Sequence, residues 1–265
     1  MKKLATAIAA IALIGTPAFA ADMAVKAPPP VVAPAPVFSW TGFYIGGNAG
    51  GAWSRDDWQF VDTNPPGHTA IPAGFSEGSD TASGGIGGVQ IGGNLQFSQW
   101  VVGAEFQWDW SDIKTQHLTP TFLNLLSTQV TSMGTLTGRV GYAWDRLLVY
   151  GKGGAAWVQD TYARGFGIPT GGFPAGTFFA QSQNNTVSGW TLGAGVEYAL
   201  APNWVVGVEY DYLQFGTHNF FFSNNAVANS LGFTPFSEHI NQNVQMVTAR
   251  LSFLFSIGPG FVLTR

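Results

Sequence analysis

The chain has 265 residues, of which 10% are charged, 14% are aromatic, 35 are Gly and none is Cys. Soluble domains carry about 25% charged residues, so this composition excludes a surface that faces water on all sides, and the absence of Cys excludes a fold closed by disulfides. Fifteen acidic residues against eleven basic ones leave a net charge of −4, which argues against nucleic acid as a partner.

The first segment is a targeting signal. Lys2 and Lys3 precede the apolar run LATAIAAIALIG, and Pro17-Ala18-Phe19-Ala20 closes it. A charged start, a short apolar middle and an A-x-A end make residues 1–20 a cleaved secretory signal peptide. The run is shorter than the roughly 20 residues a spanning helix needs. Cleavage removes two of the basic residues, leaving nine against fifteen acids and a net of −6. With no Cys after the cut, a lipid anchor is excluded. Residues 21–40 are Pro-rich and read as an extended periplasmic linker.

From Thr41 the pattern changes to period 2, the mark of strands with one apolar face. Eight segments carry it: TGFYIGGNAGGAW, GGVQIGGNLQF, WVVGAEFQWDW, TLTGRVGYAW, LLVYGKGGAAW, WTLGAGVEYAL, WVVGVEYDY and VQMVTARLSFLF. Between them, tight turns lie near Ser98-Gln99, Asp145-Arg146 and Ala201-Pro202-Asn203. Long polar segments lie at about 55–80, 111–131, 160–186 and 216–241. After the signal peptide no apolar run is long enough for a transmembrane helix, and only helices and closed barrels satisfy their backbone in lipid. Short turns alternating with long loops predict an all-β, eight-stranded antiparallel up-and-down transmembrane barrel over residues 41–256, followed by a tail at 257–265.

Energy decides which face meets lipid. The polar faces carry Glu105, Asp109, Arg139, Lys152, Glu197, Glu209, Asp211 and Arg250. Turned outward, the three cations would each cost about 2–4 kcal/mol near the bilayer midplane. All eight therefore point into a lumen that side chains can fill, where buried charges must pair. They are expected to form a structural ion-pair network. Trp53, Trp100, Trp110, Trp144, Trp157, Trp190, Trp204 and Tyr212 are expected to face out as interfacial girdles.

Glu209 and Asp211 could also be a general acid and base, but a substrate would have to enter a filled lumen, so no catalytic residue is assigned. GKGG at 151–154 lacks the leading Gly of a phosphate loop and lies on a strand. GGIGGVQIGG at 84–93 never spells a dinucleotide fingerprint. All four His, at 68, 117, 218 and 239, fall in the expected external loops, where solvation is the ordinary state. No metal or other cofactor is expected. A lipid-acting enzyme would need a nucleophile at the outer rim, and His218 is the position to check.

The opening FSWTGFYIGGNAGGAW, the strand WVVGVEYDYLQFG and the closing VQMVTARLSFLF resemble small alphaproteobacterial outer-membrane proteins of the opacity and OmpA-barrel type. The resemblance covers essentially the whole mature chain. It implies an eight-stranded barrel in the Gram-negative outer membrane, porin-like in family, with roles in envelope integrity and host-surface contact. The partners it implies are outer-membrane lipids and lipopolysaccharide, the barrel-assembly machinery, and host or extracellular ligands at the loops. A narrow channel for small solutes is the alternative role. Barrels of this kind usually finish on an aromatic residue; here Phe255 closes the last strand and SIGPGFVLTR follows.

Overall fold

The computed structural model describes residues 38–61, 74–119, 123–233 and 235–256. The expected signal peptide, all but the last three residues of the expected linker, and the tail lie outside the described residues.

Eight strands run in chain order: β1 (Gly42–Phe60), β2 (Ser76–Phe97), β3 (Trp100–Leu118), β4 (Asn124–Trp144), β5 (Leu147–Phe166), β6 (Phe178–Ala199), β7 (Trp204–Asn224) and β8 (Phe236–Ser256). Each pairs antiparallel with its sequence neighbour, and β1 pairs with β8 to close the barrel. The expected eight-stranded up-and-down architecture is therefore what the chain adopts. Closure removes the unpaired edges that lipid would not tolerate. At two of the tight turns a left-handed residue reverses the chain, Ser98 at φ 57° and Asp145 at φ 52°.

The segments expected to be long loops are mostly strand. Connections shrink to residues 61–75, 119–123, 167–177 and 225–235, the last holding a short helix, α1 (Ala226–Ser230). Strands of 19 to 22 residues run about 65 Å at the usual rise per residue. Crossing a bilayer takes only about 9–11 tilted residues. Roughly half of each strand thus stands outside the membrane.

The sequence records where lipid ends, through an inversion of polarity. On β8 the outward residues Phe255, Phe253, Leu251 and Val247 give way to Gln245, Asn243 and Asn241, while Val244 and Ile240 turn inward and are buried. On β5 the outward face changes after Trp157 to Gln159 and Thr161. Below that level apolar side chains face out; above it they face in, as in a soluble β-protein. The Gly, Asn and Pro content of the upper halves is what gives them the character of loops. Three of the four His were misplaced for the same reason: His117, His218 and His239 lie on β3, β7 and β8, while His68 lies outside the described residues.

At the periplasmic end, Trp40 is buried beneath the barrel floor. Its indole N–H donates to the carbonyl of Asp145 at 3.0 Å, and its backbone N–H donates to Gln96 Oε1 at 2.8 Å. Around it Tyr44, Val101, Leu148, Val205 and Leu254 form a small apolar core.

Candidate functional site: a lumen in two storeys

The lower storey lies within the membrane. Alternation along each strand aims Tyr44, Glu105, Arg139, Tyr150, Lys152, Glu197, Glu209, Asp211 and Arg250 inward, all of them buried. Lys152 Nζ lies 2.7 Å from Glu209, 3.3 Å from Asp211 and 3.4 Å from Glu105. Arg250 bridges Glu105 and Glu209 with its two terminal nitrogens. Arg139 sits 3.1 Å from Glu197 and 3.8 Å from Glu105. Arg139 and Lys152 are direct cross-strand partners, a like-charge pairing that destabilises a sheet unless something neutralises it. Here the two cations diverge to different carboxylates and share only Glu105.

Neutral groups complete the layer. Tyr44 and Tyr150 donate their hydroxyls to Glu105 at 2.7 Å and Glu209 at 2.5 Å. The Arg139 guanidinium lies 4.6 Å and 5.0 Å from the centres of these two rings, and its Nε–H donates to Asn94 at 2.9 Å. Such cation–π contacts strengthen when desolvated. Sequence reading missed Tyr44, Tyr150 and Asn94, although each falls on an inward position of the alternation. Small residues make the room: a Cβ at Gly193 would collide with the Asp211 carboxylate.

One expected member stands apart. Asp109 accepts from the Gln107 side chain at 2.8 Å and has no cation within ion-pair distance among the described residues. It sits higher than the others, where the layer gives way to amides.

The upper storey stands above the membrane and is apolar. Trp58, Ile113, Leu126, Met133, Leu213, Phe222, Ile240 and Met246 are almost completely buried. Trp58 packs edge-on against Tyr162 at 5.4 Å between ring centres, and Tyr162 meets Phe220 at 4.8 Å. At the top, Phe166, Phe179 and Phe233 pack together beneath α1, whose Asn225 cap accepts from the backbone N–H groups of Val227 and Ala228. Within this apolar body Arg164 pairs with Glu238 at 2.5 Å, and the Tyr162 hydroxyl lies 3.3 Å from Asp160. Most of these residues lie in segments expected to be loops; Met246 lies on the expected last strand, and Met133 and Leu213 lie just outside the expected loops. Their only signal was alternation of the opposite sense.

Burial pushes the Asp160 carboxyl up to about 7, opposed by hydrogen bonds from Gln242 and Tyr162. Burial likewise raises Glu238, against the pull of Arg164. A carboxyl whose folded value lies above its unfolded value contributes stability that is full below the unfolded value and is lost as pH rises through the folded one. For Asp160 that window runs from about 4 to about 7. The refolded barrel should therefore resist urea better at pH 5 than at pH 8, and Asp160→Asn should flatten that slope. Equal slopes in the two proteins would assign the dependence elsewhere.

On the outside, Trp100, Trp144 and Trp204 ring the periplasmic end, and Trp53, Trp110 and Trp190 ring the level where polarity inverts, all exposed. Trp157 and Tyr212 lie with the upper ring and are half-buried. Phe43, Ile45, Leu95, Leu136, Val140, Leu192, Val208 and Leu251 fill the band between and are exposed. GKGG is part of β5 and directs Lys152 inward. No cluster of three metal-ligating side chains occurs among the described residues. His218 contacts the carbonyl of Phe215 at 2.6 Å, which makes it the hydrogen-bond donor there.

A family model for the outer membrane protein β-barrel domain matches residues 6–234. The chain belongs to that family. Its relatives include the 31 kDa outer-membrane immunogenic protein of Brucella melitensis, 36% identical over 78% of this chain and 85% of the relative. A 25 kDa outer-membrane immunogenic protein of Brucella abortus is 29% identical over 87% of this chain and 92% of the relative. Among solved structures, the outer membrane protease OmpT of Escherichia coli aligns over 82% of this chain and 98% of its own, with a TM-score of 0.50 and 10% identity. At that identity the likeness shows the fold alone. The named relatives are described as immunogens rather than as enzymes. Family membership places the chain in the outer membrane, among its lipids and lipopolysaccharide, as the exposed apolar band requires.

Proposed function

We propose that this protein is a closed, non-conducting barrel without chemistry of its own, which contributes to envelope integrity and presents its extramembrane half for surface interaction. The observation that carries this reading is the filling of the lumen at three levels. Trp40 and its neighbours close the floor, where a cavity of about 10 Å³ holds no more than one water. Lys152, Glu105, Glu209 and Arg250 interlock in the middle with side chains 0–1% exposed. Trp58, Leu213 and Met246 lead an apolar plug above them. An ion crossing such a stack would need to displace paired charges and then enter an apolar body, both costly. The reading includes the barrel-assembly machinery as a folding partner and host or extracellular molecules as ligands of the outer half.

The test is single-channel recording of the refolded protein in a planar bilayer. Silence is the expected result. A steady conductance would overturn the sealed barrel and make a narrow porin-like channel for small solutes the function.

A further inference from the structure

Above the membrane the pairing of β6 with β7 is interrupted. β6 and β7 are paired from Ala199 and Val205 up to Trp190 and Gln214, and again at Gln181–Ser223 and Ala180–Asn224. Between these stretches no regular ladder pairs residues 183–189 of β6 with 215–221 of β7 among the described residues, although the register is the same at both ends. Each is also irregular against its other neighbour here: β7 against β8 between Gln214 and Gly216, and β6 against β5 beside Asp160 and Tyr162. Paired irregularities of this kind re-aim side chains at a wall.

At the upper end of the seam lies a depression of about 570 Å³. Phe221 stands in it with 60% of its surface exposed, while Phe220 and Phe222 on either side are buried in the plug. An exposed aromatic stands out in this half of the barrel, where the other exposed large apolar side chains, Leu118, Leu123 and Ile168, are aliphatic. Around Phe221 are Gln181, Asn219, Ser223 and Asn224, and no charged residue among the described residues lines the depression. Asn224 donates to the carbonyl of Phe233 at 2.7 Å, and its Oδ1 is buried without a hydrogen-bond partner among the described residues. Asn225 is committed to capping α1 and to the carbonyl of Phe178, so the rim is held in place.

We propose that this depression binds a neutral saccharide. A pyranose presents an apolar C–H face and a ring of hydroxyls, each both donor and acceptor. An exposed aromatic ring suits the first, and side-chain amides, which also offer both roles, suit the second. The uncharged lining disfavours phosphate or sulfate groups, which call for Arg or Lys. Height fits as well: Phe221 is nine residues beyond Tyr212 of the upper girdle, roughly 20 Å above it for a tilted strand. That is the level of surface sugars rather than of acyl chains. The proposal deepens the surface-interaction part of the function above and does not depend on the sealed lumen. A conductance result leaves it standing, and its own failure leaves the seal untouched.

Saturation-transfer NMR on the full barrel, refolded in a zwitterionic detergent free of glycosides, tests it with maltotriose, chitotriose and mannotriose as probes. A second arm reconstitutes the barrel in vesicles of phospholipid plus lipopolysaccharide, either carrying or lacking its core sugars, and measures co-purification. Each variant is first checked for folding by the heat-dependent shift of its band on a gel. Transfer to ring C–H protons is expected, reduced at least fivefold in Phe221→Ala, retained in Phe221→Trp and weakened in Asn219→Leu. Binding of the free trisaccharides identifies a soluble or host glycan as the ligand. Retention only of core-bearing lipopolysaccharide, lost in Phe221→Ala, identifies a sugar of the membrane itself. No binding in either arm, or binding indifferent to Phe221, overturns the proposal.

Discussion

Arg250→Ala should lower the unfolding free energy of the barrel by about 3–5 kcal/mol. Arg250 lies between Glu105 and Glu209, with its side chain 1% exposed and both carboxylates fully covered. Removing it leaves two acids facing one another, with only Lys152 common to both and Arg139 at 3.8 Å from Glu105. Most of the expected loss is therefore the penalty of uncompensated buried charge rather than the worth of the lost pairs. A companion variant separates the two. Arg250→Met combined with Glu105→Gln and Glu209→Gln removes the cation together with the charges it neutralises. It should recover most of the stability, because each cation left keeps a carboxylate, Arg139 with Glu197 and Lys152 with Asp211, and replacing buried ions together with their partners by neutral groups of similar volume is often close to neutral. Urea titration in detergent, with the folded fraction read from heat-dependent gel mobility, measures both. If the triple variant proves no more stable than Arg250→Ala, packing by the guanidinium stem, and not charge balance, is what the layer depends on.

The lower half of the barrel was legible because lipid enforces one rule at every outward position. Arg139, Lys152 and Arg250 could be assigned to the lumen from the energy of the alternative alone, and the structure brings all three against Glu105. What alternation could not give was the pairing across the lumen. Arg139 to Glu197 and Lys152 to Asp211 depend on strand register and on which side chain reaches past its neighbours. Tyr44 and Tyr150 were legible as inward residues but not as hydrogen-bond donors to those acids. The upper half was misread for a different reason. Trp58, Tyr162 and Ile240 alternate with polar residues just as regularly as the membrane segments do, but in the inverse sense. Gly, Asn and Pro in the same stretches read as loop signals. The break between β6 and β7 has no counterpart in the sequence pattern, since both strands keep their periodicity on either side of it.

Trp58→Ala should cost about 3–5 kcal/mol, the usual range for emptying a buried aromatic site, yet leave the bilayer current at zero. Trp58 is 0% exposed and forms the centre of the plug through Tyr162 and Phe222. On β1 it lies ten residues above Asn48, the cross-strand partner of Arg250, roughly 30 Å along the strand. Two closures so far apart share no partner, so their stability losses should add within about 0.5 kcal/mol. Conductance should behave otherwise. Barriers in series are each sufficient to block an ion, so Trp58→Ala and Arg250→Ala should each stay silent. The double variant should stay silent too, because the floor around Trp40 remains closed, and openings are expected once Trp40→Ala is added, recorded below the unfolding midpoint. Current in Arg250→Ala alone would mean that the upper storey leaks and that the charged layer is the only seal. Openings in the double variant would mean that the floor does not seal on its own, although Trp40 packs there with Tyr44 and Val205.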